Sequence, residues 1–306
     1  MAGSPAPLLR LGTRGSPLAL AQARMVATAL CAAHGWSEDA IATVPIRTSG
    51  DRIQDRPLAE VGGKALWTRE LDRALLAGEI DCAVHSMKDV ETDRPDSIAV
   101  AALLPRADVR DRLIGAEALS ALPQGARVGT SSPRRRAQVL RERPDARIVL
   151  FRGNVATRLA KLANGEAEAT LLAAAGLDRL GESAIGHAIP VETLLPAPAQ
   201  GAVGIEIRAN DDRRRAWFAA IDDPQTRLAV MTERALLAGL GADCSSPVAA
   251  LAEPGTGIRL RAEILSPDGS ECRSADEAIA TPEEAAAVAA RLLDRASPAL
   301  RALFGR

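Results

Sequence analysis

The chain has 306 residues, of which 47% are hydrophobic and 25% charged, and its formal net charge is −1. This is the composition of an ordinary globular protein of two or three domains. No apolar run approaches the roughly 20 residues of a membrane span, and the N-terminus shows no secretory signal. Balanced charge and 2% aromatic residues argue against a nucleic-acid partner. We therefore expect a cytoplasmic protein with neither membrane nor nucleic-acid contacts.

The first part of the chain alternates strands with helices. A helix is predicted over 18–33, because Ser16 is a good N-cap and Pro17 suits the first helical position. The polar stretch 48–64 reads as a long loop, and loops of that length are usually functional or disordered. Apolar periodicity predicts the other elements: strands over 8–11, 41–46, 80–84 and 98–104, and a helix over 67–77.

A second alternating unit begins near residue 105. The sequence predicts strands over 127–129, 148–151 and 169–173, and helices over 133–143 and 155–163. This βαβ rhythm indicates a parallel sheet with right-handed crossovers. An apolar strand over 201–207 is then expected to return to the first sheet.

The last part of the chain changes character. It predicts a helix over 224–240, strands over 248–252 and 258–265, and a final helix opened by a capping box at 281–284. We therefore predict an α/β protein with a small α+β C-terminal domain. The expected domains are 1–104 with 201–220, then 105–200, then 221–306.

The two α/β units open in the same way. Residues 12–17 and 129–133 both follow a strand, contain hydroxyl side chains and start a helix. A helix N-terminus presents unpaired N–H groups and favours an anion. If both units face one cleft, an anionic ligand would bind between them.

A group of polar side chains ends the apolar run 80–84. His85, Ser86, Lys88 and Asp89 follow it at once, and ligands of open α/β sheets bind outside the carboxyl ends of strands. Only three of the 38 basic residues are lysines, so Lys88 suggests a need for a compact ammonium group. The alternative is a polar strand end with a solvated charge pair.

Arginines cluster where the second unit would meet the cleft. Arg134, Arg135 and Arg136 occupy the first turns of a helix, where they oppose the helix dipole, and Arg152 and Arg158 follow the next strand. Arginine grips carboxylates and phosphates bidentately, so we interpret this cluster as an anion site. A solvated basic face is the alternative, and we prefer it for 213–215.

Cys244 lies in a loop, 241–247, between a predicted helix and a strand. Loop cysteines are often exposed and can act as nucleophiles, whereas a small apolar filler is the interpretation we prefer for Cys31, Cys82 and Cys272. The spacing of the four cysteines does not suit a metal, so no metal site is predicted. A reduced compartment fits them best.

Several longer motifs occur in one order along nearly the whole chain. They are 13–20 (TRGSPLAL), 61–64 (VGGK), 84–90 (VHSMKDV), 129–132 (GTSS), 152–155 (RGNV), 176–181 (GLDRLG) and 200–206 (QGAVGIE). With these motifs the sequence resembles the porphobilinogen deaminase (hydroxymethylbilane synthase) family of tetrapyrrole biosynthesis.

That resemblance implies a fold and a reaction. The implied fold has two βαβ domains like those of type II periplasmic binding proteins, followed by the small α+β domain. The implied reaction condenses four porphobilinogen molecules head to tail into hydroxymethylbilane with loss of ammonia. It takes place on a dipyrromethane cofactor that is thioether-linked to Cys244. The expected state is a monomer, with porphobilinogen as its small-molecule partner.

The resemblance also implies site residues. Asp89 matches the catalytic aspartate. The implied cofactor contacts are Ser86, Lys88, Thr130, Ser132, Arg134 and Arg135, and the implied substrate contacts are Arg14, Ser16, Arg152, Arg158 and Arg179.

Two departures from the family pattern leave other functions open. Ala242 and Asp243 stand before Cys244 where the family usually has glycines, which permit positive φ. Glu91 stands where the family often has proline. One alternative, which would explain the two similar helix N-termini and the arginines, is a two-lobed anion-binding protein without catalysis; it would need neither Cys244 nor Asp89. The other is a degenerate homologue that binds tetrapyrrole precursors without turnover.

Overall fold

The computed structural model of the protein describes residues 6–48 and 68–305. These residues form two compact units. The first contains 6–48, 68–106 and 202–227, and the second contains 107–201 and 228–305. The motif at 61–64, most of the predicted loop 48–64 and the start of the predicted helix at residue 67 lie outside the described residues.

The described part of the chain contains the following strands and helices. The strands are β1 (Leu9–Arg14), β2 (Ile41–Ile46), β3 (Cys82–Ser86), β4 (Ile98–Leu103), β5 (Asp111–Ile114), β6 (Arg127–Gly129), β7 (Arg147–Val149), β8 (Ala169–Ala173), β9 (His187–Ala188), β10 (Val203–Arg208), β11 (Val248–Pro254), β12 (Ile258–Leu265) and β13 (Cys272–Ile279). The helices are α1 (Pro17–His34), α2 (Arg69–Leu76), α3 (Pro133–Glu142), α4 (Val155–Ala163), α5 (Ala174–Arg179), α6 (Asp212–Ala219), α7 (Pro224–Leu240), α8 (Ala285–Asp294) and α9 (Pro298–Arg301).

The first unit is built on a five-stranded sheet in the order β2-β1-β3-β10-β4. β1 runs parallel to β2 and β3, whereas β10 runs antiparallel to β3 and β4. The predicted return of the chain after residue 201 is therefore confirmed. Strands β2, β1, β3 and β4 thus run in one direction, and the returning strand β10 runs in the opposite one.

Helix α1 begins where the sequence predicted. Ser16 Oγ accepts a hydrogen bond from Ala19 N at 3.3 Å, and Gly35 ends the helix with a φ of 65°. The face of α1 that contains Val26 and Leu30 packs on β1 and β3, together with Phe218 of α6. Burial of this apolar surface is the main force that holds the helix on the sheet.

The second unit repeats this pattern in a sheet ordered β7-β6-β8-β5-β9. β6 is parallel to β7 and β8, and β5 is antiparallel to β8 and β9. Ser132 caps α3 and Asn154 caps α4 through their side chains. The sequence analysis missed β5 and β9, because β5 includes charged residues and β9 has only two residues, both exposed.

The C-terminal part of the second unit is a small α+β layer. Strands β11, β12 and β13 form an antiparallel sheet, and its core includes Leu236 and Leu240 of α7 and Val288 and Leu292 of α8. Strand β13 was missed because its side chains are mostly polar and only its last residue is buried.

The predicted capping box before the last helix is wrong in detail. Thr281 makes no side-chain cap, and Glu284 accepts instead from Ala280 N at 3.2 Å. A 3-10 turn, Pro282–Glu284, precedes α8, and the short α9 follows it.

The α/β class with a small α+β C-terminal part is confirmed, while the exact domain boundaries stay a prediction. Within 6–48 and 68–305, no helix has both the length and the apolar character needed to cross a membrane.

Candidate active site

Asp89 lies in a one-turn 3-10 helix, Met87–Asp89, directly after β3. We call residues 86–90 the Asp89 turn. Its backbone is fixed by a hydrogen bond from Met87 N to Ala202 O at 3.1 Å and by another from Val90 N to Met87 O at 3.2 Å. The Met87 side chain is buried beneath the turn. A Cβ atom at position 204 would lie 2.1 Å from Met87 Sδ, so the glycine there allows this close approach.

The other predicted residues of the first unit gather around the same sheet edge. Arg14 is the last residue of β1, and Ser16 caps the helix that follows. Because β1 and β3 are parallel neighbours, Arg14 and Ser86 end adjacent strands. Gln22 connects α1 to the end of β3, since its Nε2 donates to Ser86 Oγ at 2.7 Å. Gln22 is buried, and the sequence analysis did not identify it.

The predicted residues of the second unit lie at the corresponding edge of the second sheet. Thr130 and Ser132 follow β6, and the Thr130 hydroxyl accepts from Ser132 N at 3.2 Å. Arg152 follows β7, and Arg179 ends the helix after β8. Since β7, β6 and β8 are adjacent and parallel, these side chains belong to one edge.

Arg152 and Arg158 flank a tight segment after β7. Arg152 is buried at 5% exposure. The ring of Phe151 covers Gly129, where a Cβ atom would come within 2.4 Å of it. Arg158 Nε donates to Gly153 O at 3.0 Å, which holds this guanidinium against the loop.

Arg134 and Arg135 are buried and bind a carboxylate within the unit. Arg134 Nη2 lies 2.8 Å from Asp111 Oδ2, and Arg135 Nη2 lies 2.7 Å from Asp111 Oδ1. Gln200 Nε2 also donates to Asp111, at 2.8 Å. Burial raises the pKa of Asp111, but the two guanidinium groups outweigh this and hold that pKa well below its usual range. The sequence predicted that the arginines at this helix start need an anion. The Asp111 carboxylate supplies part of that negative charge from within the protein.

Arg179 is half-buried and contacts the backbone of its own unit. Its Nη2 donates to Gly201 O at 2.6 Å, whereas its buried Nε has no hydrogen-bond partner among the described residues. Burial lowers the pKa of Arg179, and the nearby charge of Asp178 only partly offsets that effect. A half-buried guanidinium group with a buried Nε in this state would be stabilised by a ligand carboxylate.

Cys244 lies in an exposed loop of the C-terminal part of the second unit. The loop does not require the glycines that the family pattern would supply. Among the described residues, Ala199 is the only non-glycine with a positive φ. The Ala242 methyl group is buried in the core of this region, and Asp243 Oδ1 accepts from Ser245 N at 2.8 Å.

The basic run 213–215 was interpreted as a solvated face, and this is wrong for Arg214. Its Nη2 binds Asp81 Oδ1 and its Nη1 binds Asp211 Oδ2, both at 2.7 Å. The guanidinium group of Arg213, by contrast, lies 4.9 Å from the centre of the Trp217 ring.

Two family models match this chain. Residues 9–216 match "Porphobilinogen deaminase, dipyromethane cofactor binding domain", and residues 227–296 match "Porphobilinogen deaminase, C-terminal domain". The porphobilinogen deaminase of Sphingopyxis alaskensis is 60% identical over 303 residues, which cover 97% of this chain and 96% of the relative. That of Paracoccus denitrificans is 54% identical and covers 88% of this chain and 87% of the relative.

Among solved structures, a nutrient binding protein from Burkholderia cenocepacia bound to methionine is similar with a TM-score of 0.42 and 14% identity. The match covers 71% of this chain and 93% of that protein. Similarity at this level is too weak to decide the fold, which rests on the strand orders given above. The family is decided by the sequence matches, which extend over nearly the full length of both chains: this chain belongs to the porphobilinogen deaminase family.

Proposed function

We propose that this chain is a transferase that condenses four porphobilinogen molecules head to tail, with loss of ammonia, into hydroxymethylbilane. Its relatives named above are porphobilinogen deaminases. The observation that carries the proposal is the Asp89 turn, which fixes a half-buried carboxylate at the carboxyl edge of parallel strands. Ligands of open α/β sheets bind at this edge.

Asp89 is the proposed catalytic group. Each condensation breaks the bond between the aminomethyl carbon and the amine nitrogen of porphobilinogen, so ammonia leaves and the pyrrole becomes cationic. The Asp89 carboxylate keeps the amine protonated as it leaves and stabilises the cation. It then accepts the proton that the attacking α-carbon loses. A negative charge fixed in advance beside the pyrrole stabilises the cation that develops on the ring, and this stabilisation is greater in the transition state than in the ground state.

Cys244 is the proposed attachment point of a dipyrromethane. The family model matched by residues 9–216 is named for that cofactor, and Cys244 is exposed in its loop. When bound, the group supplies the free α-carbon to which the first porphobilinogen adds. The residues that would hold it are Ser86, Lys88, Thr130, Ser132, Arg134 and Arg135. The donor set fits, because two guanidinium groups share the single carboxylate of Asp111.

The substrate carboxylates need further cations, since each added pyrrole brings two carboxylates. We assign their binding to Arg14, Ser16, Arg152, Arg158 and Arg179. Arg179 has the strongest support, because its buried Nε has no partner within the described residues.

The test combines intact mass with porphobilinogen consumption. Purified wild-type protein should exceed the mass of the chain by two condensed pyrroles and should consume porphobilinogen. Cys244→Ser should lack the added mass and be nearly inactive. Added mass on Cys244→Ser would contradict the attachment site. Wild-type protein that binds porphobilinogen without consuming it would contradict the proposed reaction.

We further propose that the protein acts as a cytoplasmic monomer with porphobilinogen as its only partner. Size-exclusion chromatography with light scattering tests the oligomeric state. A mass of two chains at micromolar concentration would contradict it.

A further inference from the structure

A largely buried cluster of mostly charged side chains contacts the chain just before and just after the Asp89 turn. Its centre is Arg94, whose side chain is 10% exposed. Four partners surround this guanidinium group: Glu206 of β10, Asp72 of α2, Glu91 of the segment after Asp89, and Thr68. We call these five residues the Arg94 cluster.

The guanidinium group of Arg94 makes a pair of hydrogen bonds to each of two carboxylates. Its Nε and Nη2 lie 2.9 and 2.8 Å from the two Glu206 oxygens. Its Nη1 and Nη2 lie 3.0 and 2.6 Å from the two Asp72 oxygens. Paired contacts of this kind fix orientation as well as charge, and lysine cannot reproduce them.

The same guanidinium group holds the segment that leaves the Asp89 turn. Arg94 Nη1 lies 2.9 Å from Glu91 Oε2, and Thr68 Oγ1 lies 2.8 Å from that same oxygen. Glu91 comes two residues after Asp89. Its ion pair with Arg94 therefore restrains the backbone just after Asp89. A proline at this position would restrain the same backbone through its ring.

The cluster also reaches the strand that enters the turn. Glu206 Oε2 lies 3.2 Å from Nε2 of His85, four residues before Asp89. Both side chains are buried, and Glu206 has no exposed surface. Burial opposes ionisation of Glu206, yet contacts with His85 and Arg94 lower its pKa to about 2. The turn is thus held on both sides by groups that converge on Glu206 and Arg94.

We propose that Arg94 is a positioning residue for Asp89: through Glu91 and Glu206 it sets where the Asp89 carboxylate lies without touching substrate. The inference rests on the proposed role of Asp89 in catalysis. Catalytic groups lose much of their effect when displaced by about 1 Å. Loss of Arg94 should therefore lower kcat more than it changes KM.

A matched control exists at the other end of β3. There Arg214 binds Asp81, 4% exposed, in a second ion-pair network of the same unit. Arg94→Met and Arg214→Met each remove a guanidinium group from a partly buried ion-pair network. The network of Arg214 contacts the chain before β3, whereas that of Arg94 contacts the chain after β3. A merely structural role would make the two variants behave alike.

The experiment compares Arg94→Met, Arg94→Lys, Glu91→Gln and Arg214→Met as holoenzymes whose cofactor content is checked by intact mass. We expect kcat to fall at least about tenfold in Arg94→Met and less in Arg94→Lys and Glu91→Gln, with KM within about threefold of wild type. Arg214→Met should keep kcat within about twofold at a similar loss of stability. Glu91→Gln keeps the test valid if Arg94→Met does not fold.

Hydrogen–deuterium exchange supplies a readout that does not depend on turnover. Peptides covering 82–94 should exchange faster in Arg94→Met than in Arg214→Met, because only the first variant releases the turn. Unchanged kcat in folded Arg94→Met, or equal effects in both variants, would overturn the positioning role. Wild-type protein that fails to consume porphobilinogen would overturn the proposed function, and the exchange comparison would then decide the positioning role alone.

Discussion

The two five-stranded sheets share one strand order and one parallel trio, but their buried ion pairs contain carboxylates and guanidinium groups in opposite proportions. Each has a buried carboxylate on its antiparallel strand, namely Glu206 on β10 and Asp111 on β5. In the first unit three carboxylates surround the single guanidinium group of Arg94. In the second unit the two guanidinium groups of Arg134 and Arg135 share one carboxylate.

This difference shows that one backbone arrangement can carry two different charge environments. An excess of carboxylates beside the Asp89 turn suits a reaction that passes through a cation. An excess of guanidinium groups suits a ligand that carries carboxylates. Ser16 and Ser132 begin α1 and α3 in the same way, but apolar residues follow Ser16 and three arginines follow Ser132. The side chains thus distinguish the two units where the backbone pattern does not.

The largest expected effect follows from removing the Asp89 charge in the first unit. Asp89→Asn keeps the size of the side chain but removes its charge and its proton-transfer role. We predict at least a roughly thousandfold loss of turnover, about 4 kcal/mol of barrier, in a protein that folds and retains its cofactor. Porphobilinogen consumption measures it, and Asp89→Glu should retain some activity. Near-normal turnover by Asp89→Asn would remove this residue from the mechanism.

The second prediction removes the charge of the buried carboxylate in the second unit. Asp111→Asn leaves the buried Arg134 and Arg135 without their carboxylate, and we expect a loss of about 3 kcal/mol in the free energy of unfolding. Urea denaturation measures it. Asp276→Asn is the control, because the Asp276–Arg259 pair is exposed and water screens such pairs. Equal stability of the two variants would show that Asp111 is not needed to compensate the arginines.

A third change sharpens the assignment of the ligand-binding cations. Arg179→Leu should raise KM for porphobilinogen about ten- to a hundredfold, since a charge-assisted hydrogen bond contributes roughly 1.5–3 kcal/mol. Arg147→Leu, at an exposed position on β7, should behave as wild type. Arg179 is a cleaner probe than Arg134, because its loss leaves no buried internal carboxylate unpaired. A wild-type KM in Arg179→Leu would contradict its role.

The last prediction concerns how stability depends on pH, and it is made for the buried carboxylate of Glu206. The pKa of Glu206 is lowered from 4.5 to about 2 in the folded state. Its contribution to stability is therefore fully present above about pH 4.5 and is lost as pH falls toward 2. Unfolding free energies of wild type and Glu206→Gln, measured from pH 6 to 2, should differ in slope within this window. Parallel curves would show that Glu206 titrates normally.

The sequence by itself determined most local elements and the position of the catalytic candidate. Ser16, Ser132 and Asn154 cap helices through bonds to residues three positions away, so the signal lies in adjacent sequence. The apolar run before His85 likewise places Asp89 just after a buried strand. Such features depend on neighbours within a few residues, which periodicity and capping patterns describe well.

Only the tertiary structure decided where the charged side chains point. Arg134 and Arg135 bind Asp111, which lies 23 and 24 positions away. Arg94 and Glu206 are separated by 112 positions, and Arg214 and Asp81 by 133. An arginine in sequence shows neither its partner nor its burial, because both depend on strands that come together only when the chain folds. The same reason explains why the direction of β10 and the restraint supplied by Glu91 could not be predicted.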